Sequence, residues 1–107
     1  MIQPRHVPPP GEMLVEEFLK PLGLTQAAAA DKLGWTKARL NEVAKGKRAI
    51  SAEAALDLAA FFGTTPQFWL NLQTMYDVDR AMTRRERAHA RYPKPIAGLV
   101  AAERRSR

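Results

Sequence analysis

Apolar positions recur along this chain at the three-and-four spacing of helices, and no segment shows the alternation of a half-buried strand. Leu14, Val15, Phe18 and Leu19 make one apolar stripe in a first helix that opens near Gly11-Glu12 and is stopped by Pro21 and Gly23. Glu12, Glu16 and Glu17 come early in it, where the helix macrodipole favours acidic groups. A second helix is predicted over Gln26–Leu33, capped by Thr25 and rich in alanine, which lets a neighbouring helix come close. Gly34 ends it with the backbone freedom that a sharp corner demands. Thr36 caps a third helix that runs to about Lys45 and is closed by Gly46. Two short helices joined by a tight glycine turn form a helix-turn-helix unit. Ser51 then caps a fourth helix, with Ala55, Leu58, Ala59 and Phe62 on one side and Gly63 at its end. Thr65-Pro66 opens a fifth, with proline at the first helical position, and Phe68, Trp69, Leu72 and Tyr76 share its stripe.

Beyond Met82 the apolar period is lost. Thr83-Arg-Arg-Glu86 has the form of a capping box, so a sixth helix can start there, although no apolar run follows it. Tyr92-Pro93-Lys94-Pro95 interrupts whatever precedes it, and residues 103–107 are expected to fray. At the other end, Pro8-Pro9-Pro10 favours an extended conformation. The predicted organisation is an extended arm over residues 1–10, an all-α, five-helix domain over 11–82, and a basic C-terminal tail over 83–107.

Composition narrows the function. A chain of 107 residues holds one compact domain and not two. It has no cysteine, which excludes a disulfide framework, a Cys-ligated metal and a Cys nucleophile, and fits a reducing cytoplasm. The first eleven residues contain four prolines and no apolar run, so no signal peptide is expected, and no segment is apolar for the ~18 residues that a membrane span needs. The net charge of +6 is unevenly spread. From Arg80 onward there are nine Lys/Arg against two Glu, whereas the preceding 79 residues hold eight basic and nine acidic groups. Within that near-neutral body, residues 32–48 carry six cations opposed only by Glu42. One face of the folded domain is therefore expected to be positive, and such a face suits a polyanion.

The third helix gives that face its chemistry. At about 100° per residue, Leu40, Val43 and Ala44 turn toward the core, while Lys37, Ala38, Asn41 and Lys45 turn away and Arg39 lies on a flank nearer the core. Asn can pair with the adenine N6/N7 edge, Lys or Arg with guanine O6/N7, and Ala with a thymine methyl. Gln26 stands at the start of the second helix, placed to bond a phosphate or brace a base contact, and Lys47 and Arg48 follow the third helix, placed to grip the DNA backbone. A polar helix face is ordinarily just solvated. This one sits on the second helix of a glycine-turn pair, inside the positive region of the body, and that coincidence favours DNA.

The run from Leu24 to Gly34, with the segment from Thr36 to Lys47, resembles the helix-turn-helix of the Xre family, which includes lambda-type repressors and Cro. Four segments look like its HigA antitoxin branch: Pro10-Gly-Glu-Met-Leu-Val-Glu-Glu-Phe18, Pro21-Leu-Gly-Leu24, Gly46-Lys-Arg-Ala-Ile-Ser-Ala52, and Phe62-Gly-Thr-Thr-Pro-Gln-Phe-Trp-Leu-Asn-Leu-Gln73. The resemblance spans residues 10–80 and implies a lambda-repressor-like fold. It implies that Gln26, Thr36, Lys37, Ala38 and Asn41 occupy positions used for phosphate and base contacts. It also implies a homodimeric repressor of its own operon, binding double-stranded operator DNA in the bacterial cytoplasm. The same chain would neutralise a HigB-like messenger-RNA endonuclease by direct binding. The arginine-rich tail exceeds what that family core needs.

A dimer has support in the residues too. Phe68, Trp69, Leu72 and Tyr76 can fill the core, leaving Leu70 and Val78 to project elsewhere, so Trp69, Leu70, Leu72 and Tyr76 are the candidate dimer residues. No cofactor or metal is expected: His6 and His89 lack ligand spacing, Glu16 and Glu17 point in different directions, and no phosphate loop or Ser/His/Asp set is present. An enzyme is the least favoured class. The alternatives are a free-standing Xre-type repressor without a toxin, and a protein-interaction module whose basic patch serves an acidic protein.

Overall fold

The computed structural model describes residues 7–96, and within them all regular structure is helical. Helix α1 opens at Pro10–Met13 and continues without a break as a π-helical stretch, Leu14–Leu19. It is followed by α2, Gln26–Leu33, α3, Lys37–Ala44, α4, Ala52–Phe62, and α5, Pro66–Arg87. The five predicted helices are present. His6 and the expected frayed end at 103–107 lie outside the described residues.

Capping explains four of the starts. Thr25, Thr36, Ser51 and Thr65 each have extended backbone angles and accept a hydrogen bond from the amide three residues on, at 3.0 to 3.2 Å. Gly34 and Gly63 close α2 and α4 in the left-handed region, at φ 75° and 73°.

The π-helical stretch was not anticipated. The Lys20 amide reaches back five residues to the Val15 carbonyl at 3.0 Å. On an α-helix, Leu14 and Leu19 would stand about 140° apart. The wider winding brings both into the core, at 0% and 2% exposure, and leaves Val15 and Phe18 half-buried beside them.

The last helix also departs from expectation. Thr83-Arg-Arg-Glu86 does not start a sixth helix: it lies inside α5, where the Thr83 hydroxyl donates to the Asp79 carbonyl at 2.9 Å. Ala81, Met82, Arg84, Arg85 and Glu86 are strong helix formers, and the arginines suit the negative end of the macrodipole. Propensity carries the helix through the sequence position at which its apolar stripe ends.

Trp69 anchors the core. It is fully enclosed, with Phe18 at 5.0 Å and Phe68 at 5.1 Å between ring centroids, and its indole N–H donates to Thr64 Oγ1 at 2.7 Å. Phe18 also meets Phe62 at 4.9 Å, so one aromatic cluster joins α1, α4 and α5. Small residues set the spacing elsewhere, with Ala29 and Ala30 of α2 buried where that helix packs on α3 and α4.

Candidate nucleic-acid interface

The outer face of α3 is built from its inner one. Leu40 and Val43 are buried, Ala44 is half-buried, and Lys37, Ala38 and Lys45 on the far side are exposed. The first turn of α1 backs the last turn of α3 so closely that a Cβ on Gly11 would strike the Val43 carbonyl oxygen. Pro9 lies against Gly46, the left-handed residue after α3. The helix that displays the candidate base-reading face is thus fastened along its back by both the core and the N-terminal segment.

The corner between α2 and α3 is stapled by Gly34 and by a residue overlooked in the sequence, Trp35. The Trp35 amide donates to the Ala30 carbonyl at 2.9 Å, and its indole N–H donates to Asp57 Oδ2 at 2.8 Å, which ties the corner to α4. The available signal was the apolar residue directly after a helix-ending glycine, a common partner of this cap. Above the Trp35 ring lies the Arg39 guanidinium, 4.1 Å from its centroid. The contact holds the Arg39 side chain on the flank where the helical repeat places it, inside the outermost line.

Gln26 and Asn41 come together although fifteen positions separate them. The Asn41 amide donates to Gln26 Oε1 at 3.4 Å, and both side chains are half-buried. Of the two roles expected of Gln26, phosphate contact and bracing, the bond to Asn41 has the geometry of the second. Thr36 accepts from the Arg39 amide through Oγ1, so its hydroxyl proton is free to point outward as a donor.

Beyond α3, the Lys47 and Arg48 amides both donate to the Glu42 carbonyl, at 2.8 and 3.2 Å. The Arg48 guanidinium meets the Glu42 carboxylate at 2.7 Å. Glu42, noted in the sequence only as an opposing charge, therefore orients one of the cations around it. Among the described residues, Lys37, Lys45 and Lys47 have no acidic partner. Arg39 and Arg48 line an open cleft of about 250 Å³ with Ser51, the cap of α4.

The candidate dimer residues divide. Trp69 has no exposed surface in the single chain and belongs to the core, because its indole fills the space between α1, α4 and α5. Leu70, Leu72 and Tyr76 are half-buried. The larger apolar surface on α5 is farther along, at Met75 and Val78, 56% and 50% exposed. His89 is exposed past the end of α5, and no cluster of metal-ligating side chains occurs among the described residues. No described helix is long and apolar enough to cross a membrane.

A family profile described as "Helix-turn-helix" matches residues 15–69. Antitoxin HigA-1 of Vibrio cholerae is 40% identical over 87 residues, covering 80% of each chain. Virulence-associated protein I of Dichelobacter nodosus is 47% identical over 72 residues, covering 67% of each. Among solved structures, the antitoxin HigA of Pseudomonas aeruginosa with the higBA promoter superposes with a TM-score of 0.78 at 32% identity, covering 85% of this chain and 99% of that one. The antitoxin GraA in complex with its operator gives 0.77 at 34% identity, covering 91% and 99%. The chain belongs to the Xre-type helix-turn-helix family, in its HigA antitoxin branch.

Proposed function

We propose that this chain is a homodimeric antitoxin that binds its own operator through α3, represses that operon, and neutralises a HigB-like messenger-RNA endonuclease by direct contact in the bacterial cytoplasm. The observation that carries the DNA reading is the half-buried Gln26–Asn41 pair, which joins the start of α2 to the outward side of α3. An asparagine amide held from behind is pre-set for a bidentate bond to adenine, with less ordering entropy to lose on binding. Lys37 then addresses a guanine edge and Ala38 a thymine methyl, while Lys45, Lys47 and Arg48 grip phosphates on either side. Thr36 donates its hydroxyl to the backbone of the duplex, and Arg39 faces phosphate across the cleft that it shares with Arg48. Support comes from the relatives solved with the higBA promoter and with an operator. The family is one of DNA-binding antitoxins and not of enzymes.

A two-fold dimer would set two copies of α3 about 34 Å apart, one turn of DNA. Its interface is proposed on α5, at Leu70, Leu72 and Tyr76 and extending onto the exposed Met75 and Val78.

Binding to the DNA upstream of the chain's own reading frame, followed by fluorescence anisotropy, tests the proposal. Asn41→Ala should lose about 1–3 kcal/mol on the operator and relax the preference at one base position. Operator affinity that is indifferent to this substitution removes α3 from the role. Co-purification of a neighbour-encoded protein tests the toxin arm, and its absence leaves a free-standing repressor.

A further inference from the structure

We propose that Gln73 of α5 is a positioning residue for DNA binding, holding in place the basic loop that follows α3. The inference rests on the reading that Lys47 and Arg48 grip phosphates. Gln73 is the buried polar side chain of the described core, 9% exposed, and it sits between two partners. Its Oε1 accepts from the Ile50 amide at 2.8 Å, a bond that is itself buried. Its Nε2 donates to Asp77 Oδ1 one turn further along α5, at 3.0 Å. Asp77 therefore fixes which way round the amide lies, and the amide fixes the Ile50 backbone.

Residues 45–50 hang between two attachments. On the α3 side, the Gly46, Lys47 and Arg48 amides bond back to the Val43 and Glu42 carbonyls. On the far side, the Ser51 cap fixes the start of α4, and Ile50 before it is held by burial of its side chain, at 3% exposure, and by the bond to Gln73. Burial is non-directional and leaves the peptide free to tilt about the anchored side chain. The cap bonds begin one residue later, at Ser51, so the hydrogen bond to Gln73 is what holds the Ile50 amide itself, and it does so from α5, an element that carries none of the proposed DNA contacts. An apolar side chain at position 73 would fill the same space and orphan the Ile50 amide, whose search for a partner pulls the loop outward.

The test pairs a break with a repair, in the full chain. Gln73→Met keeps the volume and removes both bonds. It should weaken binding to operator and scrambled duplex alike, by roughly threefold to tenfold, and flatten the salt dependence by about one phosphate contact. Lys47→Ala should then cost less in the Gln73→Met background than alone, since its contact is already loosened. Gln73→Glu places a carboxylate against Asp77 and should also weaken binding. Adding Asp77→Asn reverses the polarity of that bond, because a carboxylate can accept from both the Ile50 amide and an asparagine amide. The pair Gln73→Glu with Asp77→Asn should restore affinity and salt slope.

A folded Gln73→Met protein with unchanged affinity and salt slope overturns the proposal, as does a double substitution that recovers stability without recovering binding. Lys47→Ala in the otherwise unaltered chain separates this outcome from failure of the underlying reading. If Lys47→Ala alone leaves affinity and salt slope unmoved, the loop grips no phosphate, whatever Gln73 does.

Discussion

Gly11 shows how much one missing methylene can matter here. The first turn of α1 lies on the last turn of α3 at a separation that only glycine allows, since a Cβ would meet the Val43 carbonyl and the Ala44 backbone. Neither obstacle is the movable end of a side chain, so α1 itself must shift. Gly11→Ala is expected to lower stability by about 1–3 kcal/mol, read as an earlier urea midpoint with an unchanged slope. Operator binding should fall along with it, because the displaced contact backs α3. This constraint is invisible in the sequence: Gly11 reads as a place where a helix can open, and its close approach to Val43 and Ala44, far along the chain, leaves no local mark. Asn41 was legible by contrast, because its helix carries a clear inner stripe at Leu40 and Val43 that fixes the outer one. Its bond to Gln26 was not, since bracing a base contact is one of two roles open to Gln26 and the sequence marks no partner for it.

At the level of elements, the caps carried the reading. Thr25, Thr36, Ser51 and Thr65 were recognisable because a side-chain oxygen before an apolar period has one common use, and each makes that bond. Thr36→Ala should cost about 1 kcal/mol of stability, seen in thermal unfolding. It should weaken operator binding as well, since the same hydroxyl is proposed to donate to phosphate. Thr36→Ser keeps both functions and should restore both. Where periodicity was the guide, it misjudged two stretches. The π-helical winding of Leu14–Leu19 answers to the depth of the core beneath Leu14 and Leu19, which no 3.6-residue template contains. The continuation of α5 to Arg87 depends on backbone propensity after the apolar stripe has ended, and an end of amphipathicity is not an end of helix.

For the whole molecule, the division of α5 into a buried stretch and an exposed one decides what a partner copy can touch. Trp69 holds the monomer together, so Trp69→Ala would report on folding and not on assembly. Met75 and Val78 can be charged without disturbing that core. Met75→Asp with Val78→Asp should leave thermal stability of the folded chain near its starting value at low concentration. Sedimentation should move from dimer toward monomer, and affinity for a two-half-site operator should fall far more than affinity for a single half-site. A sedimentation profile insensitive to both substitutions would place the two-fold axis elsewhere.

The stack of Arg39 on Trp35 has an optical consequence. The chain has two tryptophans: one sealed in the core, the other 7% exposed under a guanidinium whose neighbours are the residues proposed to meet phosphate. Indole emission responds to charge held against the ring, so drawing Arg39 toward a bound duplex would alter the Trp35 signal and leave that of Trp69 constant. Titration with operator should change the intrinsic fluorescence of the wild-type chain, and Trp35→Phe should abolish the change while binding is still seen by anisotropy. In that case the protein is its own dye, and its affinity for DNA can be followed without a label on either partner.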